Sequence, residues 1–420
     1  MGTPLWWQQR RFGLMIHTSV ASVPAWAPIG EYPSWYRAHL DGDAHDVLLH
    51  PSPLAETVAH HHDRWSHIEH YDDFVPFLTF DEFDADAWTS LARDAGMSYL
   101  VGTAKHHDGL CWWDAPGTRR TVTEIGPQRN IISELAAASE RAGLVFGTSY
   151  SLLDWADPRY PTHDYVEQVL HPHVLDLIER YGSRMLWGDG HWGAGPDHWR
   201  TESLLKLARD ADPELVVNDR WGLAADGVAT FEYRVPQTIM RDRPFEVRRG
   251  IGSGFGHNRI EHDEHLLDAA AIVSLLTEVV AKGGNLLLGV GADASGRIPG
   301  PAAERLRAAG GWIRRHAELI DRGEPWDEWG DHECRHLVLD GVLHVVDVGG
   351  RGRFAALGRT NVPVRSITTL DGVAVGFEQS DHELRLDRQP RRTSRLPTVY
   401  RLEREPVPEP PIELFSTEPG

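Results

Sequence analysis

A parallel α/β barrel of the (β/α)8 TIM type, followed by a C-terminal antiparallel β-sandwich, is the fold this sequence predicts. Three observations predict it. Short apolar runs recur from residue 12 to about residue 290, and each ends on residue types used in catalysis. Helical patterns with apolar residues at three- and four-residue steps alternate with these runs. Past about residue 325 the alternation stops, and short runs separated by Gly, Asp and Asn take over. Strands buried on both faces of a parallel sheet read as continuous apolar runs, and helix–strand alternation implies βα units.

Taken in order, FGLMIH ends at His17, and YLVGTAKHHDG ends on Lys105, His106, His107 and Asp108. LVFGTSY ends at Tyr150, MLWGDGHW at Asp189, LVVNDRW at Asp219 and Arg220, and VATFEY at Glu232. The segments ADAWTSLARDAG, NIISELAAASERAG, YVEQVLHPHVLDLIERYG and TESLLKLARDAD read as helices that precede strands. Gly96, Gly143 and Gly182 sit just past three of them, where a left-handed residue closes a helix. DEHLLDAAAIVSLLTEVVAKGG, NLLLGV and AAERLRAAGGWIRRHAELI complete the barrel. HLVLD, VLHVVDV, RFAALG and ELRLDR then read as antiparallel strands. The expected division is a barrel over 1–322, a sandwich over 323–405 and a Pro/Glu-rich tail over 406–420. A doubly wound sheet would share the alternation. The absence of a Gly-rich phosphate turn after the first run, and polar residues at six different run ends, favour the barrel, whose chemistry gathers at the carboxyl ends of its strands.

Composition narrows the function. A net charge of -20 disfavours a nucleic-acid partner, which needs clustered Lys and Arg. The Arg-rich stretch Arg388 to Arg395 reads as a solvated loop. No apolar run is long enough for a transmembrane helix. Two cysteines, Cys111 and Cys334, rule out a disulfide framework and fit a reducing compartment, so the expected location is cytoplasmic. Sixteen tryptophans suit both a large core and an indole-lined sugar pocket.

Asp189 lies between two glycines and is flanked by Trp187 and Trp192; Gly188 and Gly190 would let a ligand approach the backbone. Glu232 closes the sixth run, so both carboxylates can reach one pocket. A carboxylate pair flanking one bond performs glycoside hydrolysis. The bland alternatives are a helix-capping Asp189 and a Glu232 paired with Arg220 or Arg234. The KHHDG donors and His17 suit sugar hydroxyls. His171 and His173 fall two apart in a helical pattern and so point in different directions, and no HExxH or paired CxxC occurs, so a metal site is disfavoured, with a metal-dependent hydrolase on the same barrel left as an alternative. No GxSxG elbow is present, and Cys111 reads as a buried strand residue.

The ordered blocks RFGLMIHTSVASVPAWAP, YDDFVPFLTFDEFDADAW, YLVGTAKHHDGLCWWD, SYSLLDW, MLWGDGHW, NDRWG, RGIGSGFGHNR and VAKGGNLLLGVGADASGRIP resemble those of family 29 glycoside hydrolases, the retaining α-L-fucosidases. The resemblance spans roughly residues 6 to 320. It implies a (β/α)8-like barrel with a β-sandwich, and exo-acting hydrolysis of terminal α-L-fucosyl residues from glycans or glycosides by double displacement, without metal or cofactor. It implies Asp189 as nucleophile, His17, His106 and His107 as hydroxyl ligands, Tyr150, Trp187 and Arg220 as further groups lining the site, and Trp35 packed on the sugar. Thr230-Phe231-Glu232-Tyr233 matches a T-x-E-Y stretch of one branch and gives Glu232 as acid/base, with Glu246 the second candidate. A competing alignment puts Gln237 at the acid position. That alignment keeps a fucose-binding pseudoenzyme in view beside glycosidases for related L-sugars such as α-L-galactosides. Two positions depart from the family pattern: Ser34 stands where many members carry an acidic residue, and Gly289 where Asn is usual. A homo-oligomer is compatible with the composition without being required by it.

Overall fold

The computed structural model describes residues 3–42, 53–222, 227–354, 363–387 and 395–404. The tail after 405, and all of the Arg-rich stretch but Arg395, lie outside them. The chain divides into two compact units, the second beginning at Glu324.

In the first unit eight strands form one sheet: β1 (Phe12–His17), β2 (Tyr99–Lys105), β3 (Val145–Ser151), β4 (Met185–Asp189), β5 (Val216–Val217), β6 (Ala229–Glu232), β7 (Phe245–Gly250) and β8 (Asn285–Gly291). Their order is β5-β4-β3-β2-β1-β8-β7-β6, and every pairing is parallel. The edges meet: Val228 N donates to Val217 O at 2.9 Å and Asp219 N to Val228 O at 3.0 Å, a parallel bridge that closes the sheet into a barrel. Seven of the strands are the apolar runs seen in the sequence. The eighth, β7, carries Glu246 and Arg248 among its six residues, and those charges hid it from a search for apolar runs.

Met15, Tyr99, Val101, Met185, Trp187 and Leu287 form a buried cluster contributed by β1, β2, β4 and β8. Outside, helices start on side-chain caps. Asp84 accepts from Ala87 N (3.0 Å) at Ala85–Asp94, Asn130 from Ser133 N (2.9 Å) at Ile131–Ala142, and Asp268 from Ala271 N (2.7 Å) at Ala269–Ala281. Gly96, Gly143 and Gly182 take φ of 77°, 68° and 61°, the left-handed closing geometry. No helix among the described residues is long and apolar enough to cross a membrane.

The second unit holds a five-stranded and a three-stranded antiparallel sheet. Leu343, Val345, Tyr400 and Leu402 of the larger sheet share one buried cluster with Phe354, Leu384 and Leu386 of the smaller. Two sheets packed through one apolar layer make a β-sandwich.

Candidate active site

The carboxyl ends of the barrel strands surround a cavity of about 460 Å³. Seven of the nine site residues expected from sequence line it: His17 from β1, Trp35 from the loop after β1, His106 and His107 after β2, Asp189 at the end of β4, Arg220 after β5, and Glu232 at the end of β6.

The backbone before Asp189 is clamped. Asn218 accepts from Gly188 N at 2.7 Å and donates to Gly188 O at 2.9 Å, pinning the end of β4 to the segment after β5. Packing by itself requires the flanking glycines. A Cβ on Gly188 would lie 2.5 Å from the Trp221 ring, and one on Gly190 would lie 2.6 Å from Leu153.

Two guanidiniums hold the two carboxylates. Arg220 Nη1 lies 3.0 Å from Asp189 Oδ1 and 3.0 Å from Glu232 Oε1. Arg248 Nη1 lies 3.1 Å from Glu232 Oε1 and 3.8 Å from Asp189 Oδ2. The Arg248 guanidinium is sandwiched between the rings of Trp187 (4.2 Å) and Phe255 (4.0 Å) and is almost fully buried. Burial alone would push the Asp189 carboxyl up. Arg220, His107 and Arg248, with the Gly190 amide, outweigh that and hold it down at about 2.

The imidazoles are arranged to meet hydroxyls. His17 is buried with neither ring nitrogen hydrogen-bonded, and His106 Nδ1 likewise has no partner. Burial, then the charge of Arg248, lowers His17 to about 3; burial, then His107, takes His106 well below its usual value. Both are therefore neutral near pH 7, each able to donate at one nitrogen and accept at the other. Ser151 donates its proton to Leu153 O (2.8 Å), so its oxygen accepts from His107 Nδ1 (2.6 Å), which fixes that ring's tautomer. Trp35 and Trp192 run nearly parallel at 6.4 Å as an aromatic wall.

Two expected ligands lie elsewhere. Tyr150 is fully buried, its hydroxyl 3.0 Å from His173 Nδ1 and Lys105 Nζ 5.0 Å from its ring, so it belongs to the packing behind the cavity. Trp187 is also fully buried. It gives Nε1–H to Glu246 at 3.1 Å and lies under both arginines, so it is a floor rather than a wall. Glu246, the second acid candidate, does not line the cavity. It accepts from Tyr99 (2.6 Å) and Trp187 inside the barrel. Asp219 accepts from Thr230 N and pairs with Arg243, Lys105 pairs with Asp154, and Asp108 accepts from Val20 N, so all three hold structure.

Sequence reasoning missed Tyr32, His191, Arg248 and Phe255 as lining residues. The one usable signal was the segment RRGIGSGFG, whose alternate glycines mark a loop packed against other backbone. Among the described residues no three His, Cys, Asp or Glu side chains stand together as a metal site. Both cysteines are free and buried, and burial pushes the Cys111 thiol up.

The sequence profile of the family described as alpha-L-fucosidase matches residues 1–318. The alpha-L-fucosidase of Dictyostelium discoideum is 30% identical over 341 residues, covering 77% of this chain and 72% of that protein. The tissue alpha-L-fucosidase of Bos taurus is 29% identical, covering 77% and 70%. The crystal structure of the Thermotoga maritima alpha-fucosidase with a mechanism-based inhibitor superposes with a TM-score of 0.81 at 28% identity, covering 95% of this chain and 96% of that one. The chain belongs to the alpha-L-fucosidase family.

Proposed function

We propose that this protein is an exo-acting α-L-fucosidase that hydrolyses terminal α-L-fucosyl residues with retention of anomeric configuration, Asp189 serving as nucleophile and Glu232 as acid/base. The observation that carries the reading is the single Arg220 nitrogen 3.0 Å from both carboxylates. It keeps those two oxygens within about 6 Å of each other, close to the roughly 5–5.5 Å of retaining glycosidases and below the 6.5–9.5 Å that leaves room for an inverting water. The Thermotoga maritima relative, crystallised with fucose and with a mechanism-based inhibitor, supports the choice of sugar.

In the first step a carboxylate oxygen of Asp189 attacks the anomeric carbon. The glycosidic oxygen leaves with the proton of Glu232, and a fucosyl ester forms. In the second, Glu232 takes a proton from water, the water oxygen attacks the same carbon, and Asp189 departs as carboxylate. Glu232 accepts from both arginines, so it must leave that bridge before it can donate to the glycosidic oxygen. Neutral His17 and His106, with His107 beside them, meet the ring hydroxyls, and the Trp35–Trp192 wall covers an apolar sugar face. Two unpaired thiols fit a cytoplasmic enzyme.

The test is hydrolysis of 4-nitrophenyl α-L-fucoside with and without EDTA, the anomer first released being followed by NMR. Wild type should release α-L-fucose first and ignore EDTA, and Asp189→Asn should lose at least about 10³-fold in kcat. Initial release of the β anomer, or an active Asp189→Asn, would overturn the reading. Binding of L-fucose without turnover would make the chain a fucose-binding pseudoenzyme.

A further inference from the structure

A second cavity, of about 360 Å³, shares two residues with the first, His17 and Phe255. It lies beyond them, between the ends of β8 and β1, the segment 251–266 and the start of the helix Gly300–Arg315. It has its own mouth, since Asp263, Glu264 and Pro301 on its lining are exposed. Its walls are largely Met15, Ile251, Leu266, Val290 and Pro299, with bare backbone at Gly289 and Gly291.

Three observations tie this chamber to the sugar pocket. His17 is buried, lines both cavities, and has hydrogen-bond partners at neither ring nitrogen. The partition is thin. It is one residue thick at His17 and Phe255, which line both cavities, and a carbon added to Gly256 would stand in ordinary contact with it, 3.6 Å from His17 Cδ2 and 3.5 Å from Ser34 N. And the two positions that the sequence singled out as departures, Ser34 and Gly289, fall on the two sides of this wall. The anomeric carbon belongs between Asp189 and Glu232, so the hydroxyls that His17 meets are those of the sugar's other side. A group carried by one of them heads into the chamber.

Resting on the fucosidase reading, we propose that the chamber extends the substrate pocket and admits a neutral monosaccharide carried on a non-anomeric hydroxyl of the fucosyl unit. The enzyme then cleaves substituted fucosyl residues as well as bare ones. Neutrality follows from the carboxylates at the chamber, Glu261, Asp263 and Glu264, of which Asp263 pairs with Arg305 at 3.2 Å. A sulfated or uronic substituent meets like charge there.

The experiment compares kcat/KM for 4-nitrophenyl α-L-fucoside with that for its 3-O- and 4-O-galactosyl derivatives and the corresponding sulfates. At least one galactosyl derivative should fall within about ten-fold of the parent, with both sulfates far below it. Leu266→Trp and Ala302→Phe fill the chamber from residues that do not line the sugar pocket. Either should cut turnover of the galactosyl derivative by more than about ten-fold while leaving the parent within about two-fold, the parent rate serving as the check that the variant is folded. Normal hydrolysis of the parent with neither galactosyl derivative cleaved overturns the chamber alone. So does a galactosyl derivative whose rate ignores the filling variants. No hydrolysis of the parent by wild type overturns the fucosidase reading itself.

Discussion

At the scale of single residues, the site is governed by two arginines shared between two carboxylates. Both guanidiniums help hold the Asp189 carboxyl down, and both also reach Glu232. Arg248 is the less obvious of the pair: it is sandwiched between Trp187 and Phe255 and was invisible in the sequence, where nothing separates it from Arg249 beside it. Arg248→Met should lower kcat/KM for an aryl fucoside by roughly 10²-fold. It should also move the acid limb of the pH–rate profile upward, because Asp189 loses one of the charges that depress it. In wild type, Asp189 at about 2 and His17 at about 3 mean that neither produces a limb near neutrality. A wild-type acid limb set by Asp189 above pH 5, or one unmoved in Arg248→Met, would refute this account of the site. Glu232 is checked through the leaving group. Glu232→Ala should cost roughly 10²–10⁴-fold on natural glycosides and far less on 4-nitrophenyl fucoside, whose phenolate departs without a proton. Equal losses on both substrates would remove it from the acid role. Asp189, Glu232, Arg220 and the three histidines were legible because each ends an apolar run. Tyr150 and Trp187 end or nearly end such runs too, yet they point into packing, since position on a strand does not tell which way a side chain faces.

Among the elements, β7 teaches most. Strands β1 to β6 and β8 announce themselves as apolar runs, but β7 reads FEVRRG and its two buried charges break the pattern. Those charges are soluble inside a barrel only because partners wait there: Tyr99 and Trp187 for Glu246, and the carboxylates with two aromatic rings for Arg248. Tyr99, Trp187, Asp189 and Glu232 come from β2, β4 and β6, and only Phe255 lies nearby in sequence, so a local reading could not have supplied most of these partners. Burial raises Glu246 from 4.5 to about 7, against the hydrogen bonds from Tyr99 and Trp187 and the charge of Arg248. The folded protein therefore holds this proton more tightly than the unfolded chain does. The resulting stabilisation is fully present below about pH 4.5 and is lost as pH rises through about 7. Relative to Glu246→Gln, which has no proton to lose, wild type should weaken between pH 5 and 8 by up to roughly 3 kcal/mol, read from denaturant midpoints. A difference between the two proteins that is constant with pH would mean that Glu246 stays ionised in the fold.

For the whole molecule, charge acts at a longer range than any of these contacts. The chain carries 62 acidic side chains against 42 Lys and Arg, a net charge of -20. The cavity itself is locally balanced, because Arg220 and Arg248 offset Asp189 and Glu232. A neutral fucoside should feel neither field, and its kcat/KM should be flat with salt. An anionic one, such as a fucoside with a sulfated aglycone, must cross the field of the whole surface before it meets the arginines. At about 0.01 M salt the screening length is roughly 30 Å and the repulsion reaches the approaching substrate; at about 0.15 M it shrinks to roughly 8 Å. Raising salt between these limits should therefore increase kcat/KM for the sulfated fucoside several-fold, and the change should lie in the association step rather than in kcat. The opposite sign, a fall with salt, would mean that the two arginines dominate the approach and that the local site outweighs the charge of the rest of the chain.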